Sequence, residues 1–216
     1  MKIGNLFDIE MLKEKLQRTD SYKYFVLYKP FKVLCQFSHC EGKRTLKDLF
    51  EFPKDVYPVG RLDENSEGLL ILTNDTALNN KLLAPENEHT RTYLAQVEGI
   101  MTDEALKRLE SGFAIKVRGE RHKTKSAFAK YLIEDPIVPE RVPPIRFRKN
   151  SPTSWIELSL TEGKNHQVRK MTAAVNFPTL RLIRWKIESL TAEKMNSGDV
   201  IELEKTDLYN LLKLSK

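Results

Sequence analysis

The chain has 216 residues, enough for one substantial core or for two small lobes sharing a cleft, and too many to depend on disulfide staples. With 40% hydrophobic and 31% charged residues, nine Gly, ten Pro, no low-complexity tract and no solenoid period, it is neither a disordered chain nor a repeat array. The 36 basic residues exceed the 30 acidic ones and give a net charge of +6, which favours a polyanionic partner.

Residues 1 to 20 carry Ile9, Leu12 and Leu16 at spacings of three and four, which predicts a short outer helix. This segment lacks the apolar core of a secretory signal, and nowhere does the chain approach the roughly 20 apolar residues of a membrane helix. A cytoplasmic protein with no membrane association is expected. Apolar runs at Phe25 to Tyr28 and Val33 to Phe37, split by Lys29-Pro30, predict strand, turn, strand. Cys35 and Cys40 have neither CxxC nor His spacing, so both read as plain core or surface thiols.

Thr45 to Phe50 predicts a short helix, and Leu69 to Thr73 a buried strand directly after the polar loop DENSEG. Thr92 to Val97 alternates as a strand, and Thr102-Asp103-Glu104 opens a helix that runs through Leu109 and stops before Gly112. Trp155 to Leu160 is a further strand, followed by helical spacing across residues 164 to 175 that places Arg169 beside an apolar stripe. Leu180 to Ile187 and Val200 to Leu203 read as strands, and Thr206 as the cap of a last helix through Leu214. Strands and helices mix without regular βαβ alternation, so the predicted class is α+β.

Basic residues cluster at 118–125, 141–149, 164–170 and 181–186, with Phe147 and Trp185 interleaved. Each cluster alone reads equally well as an ordinary solvated face, but four of them together favour RNA phosphates.

The DENSEG loop admits three chemistries. Asp63, Asn65, Glu67 and Gly68 loosely follow a calcium loop, but position twelve is Asn74, which cannot supply the bidentate carboxylate, and the flank LLILT is a strand rather than a helix. A plain turn with Asp63 binding backbone amides is the commonest use of such a loop. The third use is a nucleophilic or charge-stabilising carboxylate.

Four blocks point to the third: GRLDENSEGLLILTND at Gly60 to Asp75, RTYLAQVEG at Arg91 to Gly99, PTSWIELSLTEGKNHQVRKM at Pro152 to Met171, and FPTLRLIR at Phe177 to Arg184. In this order, and from Tyr24 onward, the chain resembles the pseudouridine synthases, in particular the branch that modifies ribosomal RNA. The resemblance implies a mixed, largely antiparallel central sheet with flanking helices and two sub-lobes sharing an active-site cleft. Residues 1–22 would be a helical extension without the S4-type RNA-binding domain usual in the branch, and 23–216 the catalytic domain.

The resemblance further implies isomerisation of one uridine in large-subunit 23S rRNA, with no cofactor and no metal, by a monomer whose partner is that RNA. The reaction breaks the N1–C1′ bond, turns the base and rejoins it through C5 after the base has been flipped from its stack. Asp63 is the implied catalytic carboxylate, through attack on C1′, attack on C6 or formation of a glycal. Tyr93 is the implied stacking and proton-handling residue, and Arg169 the cation that keeps Asp63 ionised and aimed through charge-assisted hydrogen bonds. Leu182 would wall the pocket, while Arg61, Arg184, Lys164 and Arg146 would contact the RNA. Departures from the family pattern are His166 for a common Arg, Thr76 for a common Gly and Glu188 for a common Gly; a neutral His166 would weaken an RNA contact. The same chemistry on 16S rRNA or tRNA, and a catalytically silent RNA-binding scaffold, are the alternative readings.

Overall fold

The computed structural model describes residues 22–145 and 151–214. The helix expected within residues 1 to 20, and Arg146, lie outside them. In chain order the elements are β1 (Tyr24–Lys29), β2 (Val33–Leu34), β3 (Arg44–Thr45), β4 (Tyr57–Pro58), β5 (Glu67–Thr73), α1 (Thr76–Leu83), β6 (Arg91–Glu98), α2 (Asp103–Ser111), β7 (Ala114–Val117), β8 (Glu120–Lys123), β9 (Phe128–Leu132), β10 (Thr153–Leu160), α3 (Gln167–Ala174), β11 (Thr179–Ile187), β12 (Leu190–Thr191), β13 (Val200–Glu202) and α4 (Lys205–Leu211).

Nine strands form one sheet in the order β13-β1-β5-β11-β6-β10-β9, with β4 on β5 and β12 on β11. Every pairing in it is antiparallel except β5 with β11, which run parallel and meet at only two positions, Ile183 opposite Glu67 and Arg184 opposite Gly68. The α+β class and the largely antiparallel sheet are as expected. The β5–β11 seam divides the sheet into two halves.

The core follows from side-chain alternation along the central strands. In β5, Leu69 and Ile71 join one apolar cluster and Leu70 and Leu72 another, so the strand is buried on both faces and shows no polar alternation in sequence. In β1, Tyr24, Val26 and Tyr28 go to the first cluster, Phe25 and Leu27 to the second. A third cluster takes Ala95, Val97, Ile156, Leu158 and Leu182 from the other half, together with Val168 and Met171 of α3. Residues opposite one another share a face, so Gly68 and Leu70 of β5 lie on the same face as Arg184 and Leu182 of β11. The second and third clusters therefore occupy one face of the two halves and leave a cleft at the seam between them.

Two features lock that seam. On the face away from the cleft, Arg181 Nε and Nη2 donate to the two carboxylate oxygens of Glu67, each at 2.8 Å, and Nη2 also donates to the Pro139 carbonyl at 2.6 Å. At Gly68, with φ +100, an added Cβ would stand 2.3 Å from the carbonyl oxygen of Arg184. Only glycine lets β11 approach β5 so closely.

Some boundaries differ from the sequence reading. The run Val33 to Phe37 is a strand for two residues only, because Cys35 turns inward and its Sγ accepts the Leu62 amide at 3.3 Å. The final helix is entered through Glu204, and Thr206 lies inside its first turn rather than capping it. Helix α1, capped by Asp75, and strands β3, β4, β7, β8, β9 and β12 were not anticipated, being short or broken by charged residues. Among the described residues no helix is long and apolar enough to cross a membrane.

Candidate active site

The loop from Gly60 to Ser66 leads into β5 and carries Asp63 at the rim of a cleft of about 810 Å³. Burial of a Leu or Ile side chain contributes about 1.5–3 kcal/mol, so β5, with four of them fully covered, is a rigid base for that loop. The loop itself closes in a turn, with the Ser66 amide donating to the Asp63 carbonyl at 3.0 Å.

It is held from two sides. From the first half, the Lys32 amide donates to the Glu64 carbonyl at 2.8 Å, and the fully buried Lys29 ammonium donates to the carbonyls of Pro30 (2.7 Å), Val33 (2.8 Å) and Glu64 (3.4 Å). Burial pushes the Lys29 pKa down to about 8, although Asp63, Glu64 and Glu67 favour its charged form. The Cys35 thiol and the Lys43–Glu64 ion pair at 2.8 Å complete this side. From the second half, Arg169 of α3 reaches across the seam, Nη2 donating to the Asn65 carbonyl at 2.6 Å and Nη1 to the Thr179 carbonyl at 3.3 Å.

Arg169 thus meets the Asp63 loop through the Asn65 backbone; no hydrogen bond or close ion pair joins the guanidinium to the Asp63 carboxylate. Burial lowers the Arg169 pKa, and Asp63, close enough to interact, opposes that shift. The side chain in reach of the carboxylate is instead His166, whose Nε2 lies 3.7 Å from Asp63 Oδ1. His166, read from sequence as a departure that would weaken an RNA contact, stands at the start of α3 with φ +53. Its left-handed backbone ends the preceding turn, which is why the helix starts at Gln167 and not at Lys164 as the spacing predicts. Gln167 locks that turn, its Oε1 accepting the Lys164 amide at 2.8 Å and its Nε2 donating to Glu162 at 2.6 Å.

The cleft floor comes from the sheet. Tyr93 of β6 lies opposite Arg184 of β11, Leu182 opposite Ala95, and all but Ala95 line the cleft with Asp63. Leu182 and Arg184 are buried, whereas Arg61 and Lys164 line the same cleft from its exposed rim. Six of the eight predicted site residues therefore converge, Arg169 lies behind the loop, and Arg146 is outside the described residues. Arg184, expected as a phosphate contact, is an inner residue whose Nε donates to the Leu69 carbonyl at 2.7 Å. Sequence reading missed Lys29, Cys35 and His166 as neighbours of the loop. Lys29 had a signal, a lysine ending an otherwise apolar strand; Cys35 had none. Glu188, a departure from the Gly that the resemblance implies, has φ +51, a conformation glycine adopts freely.

Residues 23–174 match the family described as RNA pseudouridylate synthase. The chain is 41% identical over 181 residues to the ribosomal large subunit pseudouridine synthase E of Vibrio vulnificus (strain CMCP6), covering 84% of this chain and 75% of that one. It is 35% identical over 216 residues to the ribosomal large subunit pseudouridine synthase B of Bacillus subtilis (strain 168), covering 100% and 81%. A solved structure described as a pseudouridylate synthase matches with a TM-score of 0.71 at 25% identity, covering 88% of this chain and 74% of that one. With Asp63, Tyr93 and Arg169 all inside the matched segment, the chain belongs to the RNA pseudouridylate synthase family of isomerases.

Proposed function

We propose that the protein converts one specific uridine of large-subunit 23S rRNA into pseudouridine, with Asp63 as the essential carboxylate. The observation that carries this reading is the convergence of Asp63, Tyr93 and Leu182 in one cleft whose volume falls within the roughly 300–1,000 Å³ typical of small-ligand sites. A nucleoside inserted there meets a carboxylate from the rim loop, an aromatic ring and an apolar wall from the sheet.

To enter, the uridine must leave its stack, which costs a few kcal/mol that backbone contacts offset. Arg61, Lys164, Arg184 and Arg146 supply those contacts by charge. Inside, Asp63 is the nucleophile that frees the base, Tyr93 stacks on it and passes a proton, and Leu182 excludes water. Arg169 keeps the loop in register for the attack. The large-subunit target is supported by relatives of types E and B, both named for that subunit. The enzyme acts on this RNA as a cytoplasmic monomer, with 23–216 as its catalytic domain.

The test is to incubate the protein with unmodified large-subunit rRNA, small-subunit rRNA and tRNA and to map pseudouridine chemically. One site in the large-subunit RNA is expected for wild type and none for Asp63→Asn at unchanged melting temperature. Undiminished product with Asp63→Asn, product only on another RNA, or no product from wild type would overturn the proposal in its respective part.

A further inference from the structure

Two arginines, Arg91 and Arg184, line the cleft beside Tyr93. Arg91 precedes Tyr93 by two residues on β6 and so points to the same face, and Arg184 lies directly opposite Tyr93 on β11. Both line the cleft. They are close enough that burial and then the Arg184 charge act together to lower the Arg91 pKa, against the attraction of Tyr93 and Glu188.

Among the described residues no carboxylate makes an ion pair with Arg91 or Arg184. Glu188, the acid that attracts Arg91 from farther off, is engaged elsewhere: it accepts the Thr90 amide at 2.7 Å, pairs with Lys213 at 3.0 Å and faces His89 at 3.5 Å. Arg181, buried a short way along β11, shows the contrast, because its charge is matched by Glu67.

Among the described residues their donors are only partly used. Arg91 gives Nη1 to the His89 carbonyl (3.1 Å) and Nη2 to the Leu82 carbonyl (2.7 Å), so two of its five N–H donors are engaged and three remain. Arg184 gives only Nε, to Leu69, so one of five is engaged and four remain. These carbonyl bonds fix both forks in place. Two neighbouring, partly desolvated positive charges with free donors and no paired carboxylate among the described residues suit a doubly coordinated oxyanion.

We propose that Arg91 and Arg184 form a seat for a single RNA backbone phosphate adjoining the nucleotide in the cleft. The identification of that phosphate as RNA rests on the function proposed above; the seat itself rests on the two arginines. The phosphodiester is clamped from the two sides of Tyr93, so the same strand pair that presents the aromatic ring also fixes the backbone of the nucleotide chain.

The seat is tested first with wild-type protein and inorganic phosphate. In a titration at constant ionic strength, the Nε–Hε resonances of 15N-labelled Arg91 and Arg184 should shift together and saturate, while chloride leaves them in place. Absence of a saturable shift, or an equal response to chloride, overturns the seat. The second test measures binding of unmodified large-subunit rRNA across salt concentrations. Arg91→Gln and Arg184→Gln should each lower the log–log salt slope by about 1, and the double variant by about 1 rather than about 2, because one phosphate is shared. A double variant that loses about 2 overturns the sharing. If wild type shifts with phosphate yet makes no pseudouridine in any RNA, the seat stands and the proposed reaction falls; product without phosphate-induced shifts gives the reverse.

Discussion

Arg169 Nη2 and the Asn65 carbonyl lie 2.6 Å apart, across 104 residues of sequence, and through this bond helix α3 of one half-sheet grips the Asp63 loop of the other. A cation that had been expected to face the carboxylate directly holds it through the peptide two residues on. Displacement of a catalytic group by about 1 Å costs on the order of 100-fold in rate. Arg169→Ala should therefore lower kcat on large-subunit rRNA by about 100-fold with a smaller change in KM. Arg169→Lys should recover little, since one ammonium on a flexible stem does not reproduce a fork that spans the Asn65 and Thr179 carbonyls. Single-turnover assays read both variants; full activity in Arg169→Ala would show that the loop needs no such grip.

Gly68 is required by space as well as by backbone angle. Gly68→Ala places a Cβ 2.3 Å from the Arg184 carbonyl oxygen at φ +100, against backbone that has no flexible end to yield. Opening the β5–β11 seam should cost about 3 kcal/mol or more, read as a lower urea midpoint, and should reduce activity as Arg184 and Asp63 separate. A variant of wild-type stability would contradict the seam geometry.

Lys29 should titrate near pH 8, visible as one shifted signal in an NMR titration of 13Cε-labelled lysine. Its folded pKa of about 8 lies below its ordinary 10.5, so the folded chain holds fewer protons than the unfolded one between those values, and stability rises with pH there. The contribution is fully present above pH 10.5, falls as pH drops toward 8, and is flat below, a span of roughly 3 kcal/mol. The difference in unfolding free energy between wild type and Lys29→Met should show that slope, and a flat difference would disprove it.

Asp75 links the first strand, helix α1 and helix α4. Its Oδ1 caps the amides of Ala77 and Leu78 at 3.0 and 3.2 Å, and its Oδ2 accepts the hydroxyls of Tyr24 and Tyr209, each at 2.8 Å. Burial works against the charged form, but the hydrogen bonds from Tyr209, Tyr24 and the two amides outweigh it and hold the carboxyl below its usual value. The sign follows: the contribution is present above the ordinary carboxylate range and is lost as pH falls through the depressed folded value. Asp75→Ala should destabilise by about 2–4 kcal/mol, from a lost cap and two unpaired hydroxyls, and should flatten the acid limb of the stability profile. Asp75→Asn, which keeps an oxygen for the cap, should lose less.

The sequence by itself indicated the central strands of the core and six of the residues that line the cleft. Runs such as LLILT and WIELSL carry their burial in their own side chains, and the Asp63, Tyr93 and Leu182 blocks are contiguous stretches whose family likeness is readable one residue at a time. What only the tertiary structure decided is how those blocks bear on one another. The two-position parallel seam, the Glu67–Arg181 lock and the Arg169 grip each join residues about 104 or more apart, at register positions that no local pattern encodes. The Cys35 thiol accepts an amide because a loop 27 residues later comes to rest on it, and nothing in a cysteine foretells that. His166 was visible as a departure in charge, but its place 3.7 Å from Asp63 depends on a left-handed residue that delays a helix by one turn. Arg91 and Arg184 read as two more basic residues among 36, and become a candidate anion seat only because strand pairing sets them on one face and leaves both without a counterion. Local periodicity fixes which side chains are buried; long-range register fixes which of the buried charges are satisfied.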